Sequence, residues 1–179
     1  MSSGNNVPLS VISNVAIGGL ALVGVGNQKY TQGGQGKPTG LWFLILENSK
    51  LQPVYNAVWS QYDTVPPIQQ WNDANHIMIV ASNAVGLNNQ PVGNLFTFLD
   101  VNGAGAKLRG IAQIAAQFNC GYLGTYGYAL VSTLGNQNLP GFEASAPTGG
   151  NPASPVLTLA LMPVNIGGNT TYTPVALSD

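Results

Sequence analysis

Apolar and polar positions alternate with a period of two along much of this chain, the pattern of half-buried β-strands. Val7, Leu9 and Val11 alternate, and Leu20, Leu22 and Val23 follow a Gly-Gly break, so residues 7–26 predict one or two strands. Residues 31–40 (TQGGQGKPTG) predict a flexible loop. Residues 41–47 (LWFLILE) form a continuous apolar run, which predicts a strand buried on both faces. Asn48-Ser49-Lys50 predicts a turn, and residues 54–62 a second strand paired with the first as a hairpin. Thr64 and the pair Pro66-Pro67 predict the start of a short helix over 67–74 that buries Ile68 and Trp71.

Residues 76–81 (HIMIVA) predict another buried strand, and 83–93 a loop. Residues 95–99 fit either a short strand or the lead-in to a helix. The clearest helix covers 106–118, where Leu108, Ile111, Ala115 and Phe118 share one face. Residues 126–133 and 156–162 predict strands, 135–155 a Gly-, Asn- and Pro-rich loop, and 172–177 a final strand. The sum is an α+β chain, mainly antiparallel β with two or three short helices packed against it. No internal repeat is evident.

Composition changes this picture in one respect. Only 6% of the 179 residues are Asp, Glu, Lys or Arg, and the formal net charge is -1. Typical soluble domains carry about 25% charged residues. The polar surface must therefore come from Asn, Gln, Ser and Thr, which shed water more easily than ions do. Such a surface generates little repulsion between copies, which points to a subunit of an assembly. Five basic residues spread from Lys29 to Arg109 do not form a phosphate-tracking patch, so nucleic acid is not an expected partner. No apolar run reaches the roughly 20 residues of a membrane-spanning helix. The apolar stretch at 11–25 lacks preceding basic residues, so synthesis in the cytoplasm without a cleavable signal peptide is expected. Cys120 is the single cysteine and has no partner for an internal disulfide.

Candidate chemistry is sparse. His76 has Asp73 as its nearby acid, and Cys120 has no basic neighbour in sequence to activate it. Asp63 and Asp73 flank the predicted short helix and fit capping roles. Gly103-Ala104-Gly105 lacks the full phosphate-loop fingerprint and the strand that should precede it. No metal site, cofactor or enzymatic activity is expected. The remaining candidates are aromatic: Trp59, Tyr62 and Trp71 in one group, and Tyr122, Tyr126 and Tyr128 in another. Such rings suit sugar faces and interface cores.

The runs GLWFLILENSKLQPVYNAVW, VPPIQQWNDANHIMIVASNAVG and LRGIAQIAAQFNCGYLGTYGYALVSTLG, with PGFEA after them, resemble the ILEI/PANDER domain family in a bacterial or phage-type member. The resemblance covers about residues 41–165. It leaves residues 1–40 as N-terminal strands and a loop, and 166–179 as a tail or strand. It implies a β-sandwich with flanking helices and no enzymatic activity, in secreted signalling proteins or sugar-binding stems. The secreted members carry paired cysteines and many charges, and this chain has neither. The expected role is therefore a structural subunit of a self-assembling particle, such as a phage tail, fibre or capsid-decoration protein. The expected partners are copies of itself or other structural proteins, in a virion or extracellular particle. A carbohydrate-binding module is the alternative.

Overall fold

Leu41, Trp42, Phe43, Leu44, Ile45 and Leu46 are all fully buried, so the strand that carries them needs cover on both faces. A computed structural model describes residues 5–118, 124–136, 139–146 and 153–177 and shows how that cover is supplied. The apolar run is β4 (Gly40–Glu47), which forms a hairpin with β5 (Gln52–Trp59). On its other side β4 pairs antiparallel with β6 (His76–Asn83), and β6 pairs with β8 (Thr125–Thr133). A two-residue strand, β7 (Val85–Gly86), and β9 (Phe142–Ala146) also pair with β8 and complete a six-stranded sheet.

A second sheet has five strands. Its members are β1 (Val7–Ile12), β2 (Leu20–Val25), β3 (Gln28–Gly33), β10 (Val156–Ile166) and β11 (Asn169–Ala176). Their order is β11-β10-β1-β2-β3, with every pair antiparallel. The first and last parts of the chain therefore share one sheet. Two helices, α1 (Gly93–Val101) and α2 (Ala106–Phe118), lie between β7 and β8 in the chain.

Strand alternation divides the core in two. Leu41, Phe43, Ile45, Met78, Val80, Tyr126, Tyr128 and Leu130 join Leu95, Leu99, Leu108 and Ile111 of the helices in one cluster. Trp42, Leu44, Leu46, Ile77, Ile79, Ala81, Ala129 and Val131 point the other way, and join Leu9, Val11, Ala21, Val23, Leu159 and Leu161 of the five-stranded sheet.

Several expectations are corrected. The segment read as a loop from 31 begins as the end of β3, where Tyr30 packs against the second cluster. The helix expected over 67–74 is a single 3₁₀ turn, Gln69–Trp71. It stops because Asn72 leaves helical geometry and the Asp73 carboxylate accepts the Asn75 N–H at 2.8 Å. Ile68 is fully buried as expected, whereas Trp71 is only half-buried. The loop expected over 83–93 contains β7 and a second 3₁₀ turn, Leu87–Asn89. The ambiguous stretch at 95–99 is helix, α1, with Leu95 and Leu99 buried one turn apart. The loop expected over 135–155 contains β9.

The sheets are stitched at one end by a buried amide pair. Between β6 and β7 the pairing with β8 slips by one residue, and Ala84 adopts a left-handed φ of 51°. The slip places Asn83 beside Asn14, on the segment that follows β1. Asn14 Nδ2 donates to Asn83 Oδ1 at 2.8 Å, and Asn83 Nδ2 donates to the Pro38 carbonyl at 3.0 Å. Main-chain bonds from Asn14 N to Ser82 O and from Ala84 N to Asn14 O flank the pair at 2.8 Å each. Gly33 has φ of 108°, and a Cβ there would overlap the Gly19 carbonyl and stand 2.7 Å from Asn83 Oδ1. Asn83→Ala leaves the Asn14 amide and the Pro38 carbonyl without their buried partner. The expected loss is about 1–3 kcal/mol in urea unfolding; a loss within about 0.5 kcal/mol, the range of ordinary surface changes, would show that the pair does not join the sheets.

Candidate functional site

The first aromatic group falls on the end of β5 and on the crossing that leads from it to β6. Ile68 anchors the crossing, with main-chain bonds from Ile68 N to Pro66 O at 2.7 Å and from Trp71 N to Ile68 O at 3.0 Å. The fold holds each ring in place. Trp59 Nε1 donates to the Thr64 carbonyl at 2.8 Å, and the Tyr62 carbonyl accepts the Val92 N–H at 2.7 Å. Trp71 packs at a tilt of 51° against Tyr55, with ring centroids 5.8 Å apart. Tyr55, Trp59, Tyr62 and Trp71 are all half-buried against the helix-side cluster.

Tyr55 was absent from the sequence candidates, although the period of two running back from Trp59 through Ala57 points to it. The group offers ring faces and edges. The Trp59 indole N–H is already bonded inside the protein, so its ring can give a partner only apolar and stacking contact. Burial raises the Tyr62 hydroxyl above its ordinary pKa, so it stays neutral and able to donate at physiological pH.

The second aromatic group does not form a surface. Tyr126 and Tyr128 are fully buried, because β8 lies within the six-stranded sheet with cover on both faces. They are core residues, and this corrects their reading as glycan or interface rings. Tyr122 lies outside the described residues, as does Cys120. Burial pushes the Tyr126 and Tyr128 hydroxyls far up, with the charge of Glu143 adding to the effect at Tyr128 and the Tyr62 hydroxyl adding at Tyr126. Tyr128 Oη donates to Glu143 Oε1 at 2.7 Å, whereas Tyr126 Oη has no partner among the described residues.

Eight of the twelve acidic, basic and histidine side chains fall in two local groups. One is at the far end of β4 and the start of β6, where Glu47 faces His76 across the strands. Lys50 Nζ lies 3.1 Å from Glu47 Oε2, and His76 Nδ1 donates to Asp73 Oδ1 at 2.7 Å. Hydrogen bonds from Ser49 and then Lys50 hold the Glu47 carboxyl below its ordinary pKa. Partial burial opposes ionisation of Asp73, but the bonds from His76 and Asn75 outweigh it and lower its pKa. A depressed carboxylate stabilises the fold above its unfolded pKa, and that contribution fades as pH falls through the folded value.

The other group surrounds the start of α2. Arg109 pairs with Asp100 of α1, and Lys107 sits in the first turn. Glu143 of β9 accepts the Lys107 N–H at 3.2 Å and the Leu108 N–H at 3.3 Å, capping the helix with a carboxylate where the dipole favours one. The Tyr128 hydroxyl is bonded to the same carboxylate. Among the described residues, no three His, Cys, Asp or Glu side chains come close enough to hold a metal ion. No helix among them is long and apolar enough to cross a membrane.

A cleft of about 400 Å³ opens beside the amide pair, lined by Gly18, Gly19, Gly34, Gly36, Lys37 and Asn83. The Asn83 amide at its floor is already committed at both ends, to Asn14 and Pro38. Ile17, Gln35 and Thr39 also line the cleft, so its wall mixes glycine main chain with apolar, amide, hydroxyl and ammonium side chains.

Glu143→Ala removes the acceptor for two helix N–H groups and a buried hydroxyl. Urea unfolding is expected to show a loss of about 2–3 kcal/mol for Glu143→Ala and a smaller loss for Glu143→Gln, which keeps one acceptor oxygen. Equal stability of all three proteins would show that the carboxylate does not cap α2. No protein-family model matches this sequence, and no curated protein matches it at a significant level.

Proposed function

We propose that this protein is a structural subunit of a self-assembling particle, of the kind found in a phage tail, fibre or capsid decoration. The observation that carries the reading is where the charge sits. Eight ionisable side chains lie in two groups, leaving few for the strand edges. Two of the edge strands, β5 (QPVYNAVW) and β11 (NTTYTPVA), contain no ionisable group besides tyrosine, whereas the edge strand β3 carries Lys29 and β9 carries Glu143. Natural sheets commonly guard such edges with charge. On β5 and β11, Pro53, Pro174 and the irregular β4–β5 register near Ile45 supply what guarding there is. Edges and surfaces of this type favour contact with neighbours over life as a dilute monomer.

The same proposal takes the two sheets as a β-sandwich carrying the helices on one side, in the manner of the ILEI/PANDER family. Its support is the element order from β4 to β9 and the buried cluster shared by both sheets. The copies would meet in a virion or extracellular particle.

Light scattering on a size-exclusion column tests the reading. A mass of two or more chains is expected, and a clean monomer at high concentration would sink it. A second reading, carbohydrate binding, rests on the half-buried Trp59, Tyr62 and Trp71, each packed against the helix-side cluster. Under it, a glycan array finds a ligand, and Trp71→Ala reduces binding by about fivefold or more, because ring contacts of this kind contribute about 1 kcal/mol or more. An array without a ligand removes that reading.

A further inference from the structure

Asn102-Gly103 is the one Asn-Gly pair in the sequence, and it lies in the junction between α1 and α2. Asparagine followed by glycine is the pair most prone to lose its side-chain amide spontaneously, because glycine leaves the attacking nitrogen unhindered. The Gly103 nitrogen attacks Asn102 Cγ and closes a five-membered imide ring. The bond from Cγ to Nδ2 breaks, the Gly103 proton is carried to the leaving nitrogen, and ammonia departs. Water then opens the ring at either carbonyl and leaves aspartate or isoaspartate at 102. Water is the co-reactant, and nothing is oxidised or reduced.

The junction requires both residues. Asn102 caps α1 with its side chain as well as its main chain. Its Nδ2 donates to the Phe98 carbonyl at 3.0 Å, and its Oδ1 accepts the Gly135 N–H at 3.0 Å from just past β8. Gly103 has φ of 102°, and a Cβ there would stand 2.7 Å from Gly141 N and 3.0 Å from Ser132 Cβ. The Gly141 N–H donates to the Gly103 carbonyl at 2.8 Å and fixes that approach. Packing therefore imposes the most labile pair on this position.

The same contacts shut the reaction. Asn102 is 2% exposed, and both ends of its amide are bonded. Ring closure needs the Gly103 nitrogen to eclipse the Asn102 Cβ, and a ψ of 32° at Asn102 does not allow that. Rotation would break the cap and the Gly103–Gly141 contact together.

We infer, independently of the assembly reading above, that Asn102-Gly103 is a modification site that the folded state closes and unfolding opens, so that a chain keeps a lasting record of having been unfolded. The product does not fit back into the junction. Aspartate sets a carboxylate oxygen against the Phe98 carbonyl, where Nδ2 now donates. Isoaspartate adds a methylene to the main chain where there is no room for a Cβ.

The test follows the full chain at neutral pH and one temperature, in native buffer and in guanidinium. Peptide mapping by mass spectrometry reads the exchange of amide for acid at 102. The reaction is expected to run at least about 100-fold faster in guanidinium, because the native rate is scaled by the fraction of time the junction is open. Equal rates in the two solvents would overturn the shielding. An Asn102 that outlasts the other asparagines in guanidinium would overturn the site itself. Returning the partly reacted chains to native buffer tests the record and needs no variant to fold. The modified chains are expected in the protease-sensitive fraction and the unmodified ones in the resistant fraction, with Asn102→Asp behaving as the modified chains do. Modified chains as resistant as unmodified ones would overturn the record.

Discussion

Burial of the six-stranded sheet on both faces is the constraint on which the rest of the structure depends. β4, β6 and β8 expose almost nothing, so each must find apolar cover above and below. At about 25 cal/mol per Å² of apolar surface, leaving either face wet would be prohibitive for a domain of this size. The two covers differ in kind. One is a second sheet built from the first and last parts of the chain, and the other is a pair of helices with the crossing anchored by Ile68. The half-buried aromatic group follows from this, because the β5 edge and the crossing seal the margin of the helix-side cluster with large rings.

What could be read from the residues depended on whether the deciding contact was local. The run at 41–47 needed no context, because six consecutive buried positions leave no polar face. Helix α2 was equally legible, with bounds as expected, because Leu108 and Ile111 mark its apolar stripe. β9 was not: Phe142–Ala146 is short and contains Glu143, whose partners are Tyr128 and the start of α2. The 3₁₀ turn at Gln69–Trp71 ends where the Asp73 side chain competes for main-chain groups, a choice made by local hydrogen bonding and not by periodicity.

The candidate site was legible in part for the same reason. Trp59, Tyr62 and Trp71 lie on or beside an edge strand, where sequence clustering and surface location coincide. Tyr126 and Tyr128 look alike in sequence, but β8 is an inner strand, and position in the sheet is decided by pairing at long range. Charge told more by its arrangement than by its scarcity. The few ions present secure a hairpin end and a helix start.

The Glu143 cap bears on the order in which the chain is consolidated. The carboxylate that completes the first turn of α2 comes from 35 residues farther along. During synthesis the helix emerges before its own cap, and its first turn must wait for β9 to dock on β8. Closing a loop of that length is entropically unfavourable, and is offset only when the strand pairs at the same time. The start of α2 and the docking of β9 are therefore coupled, and the helix cap reports whether that edge of the six-stranded sheet is complete.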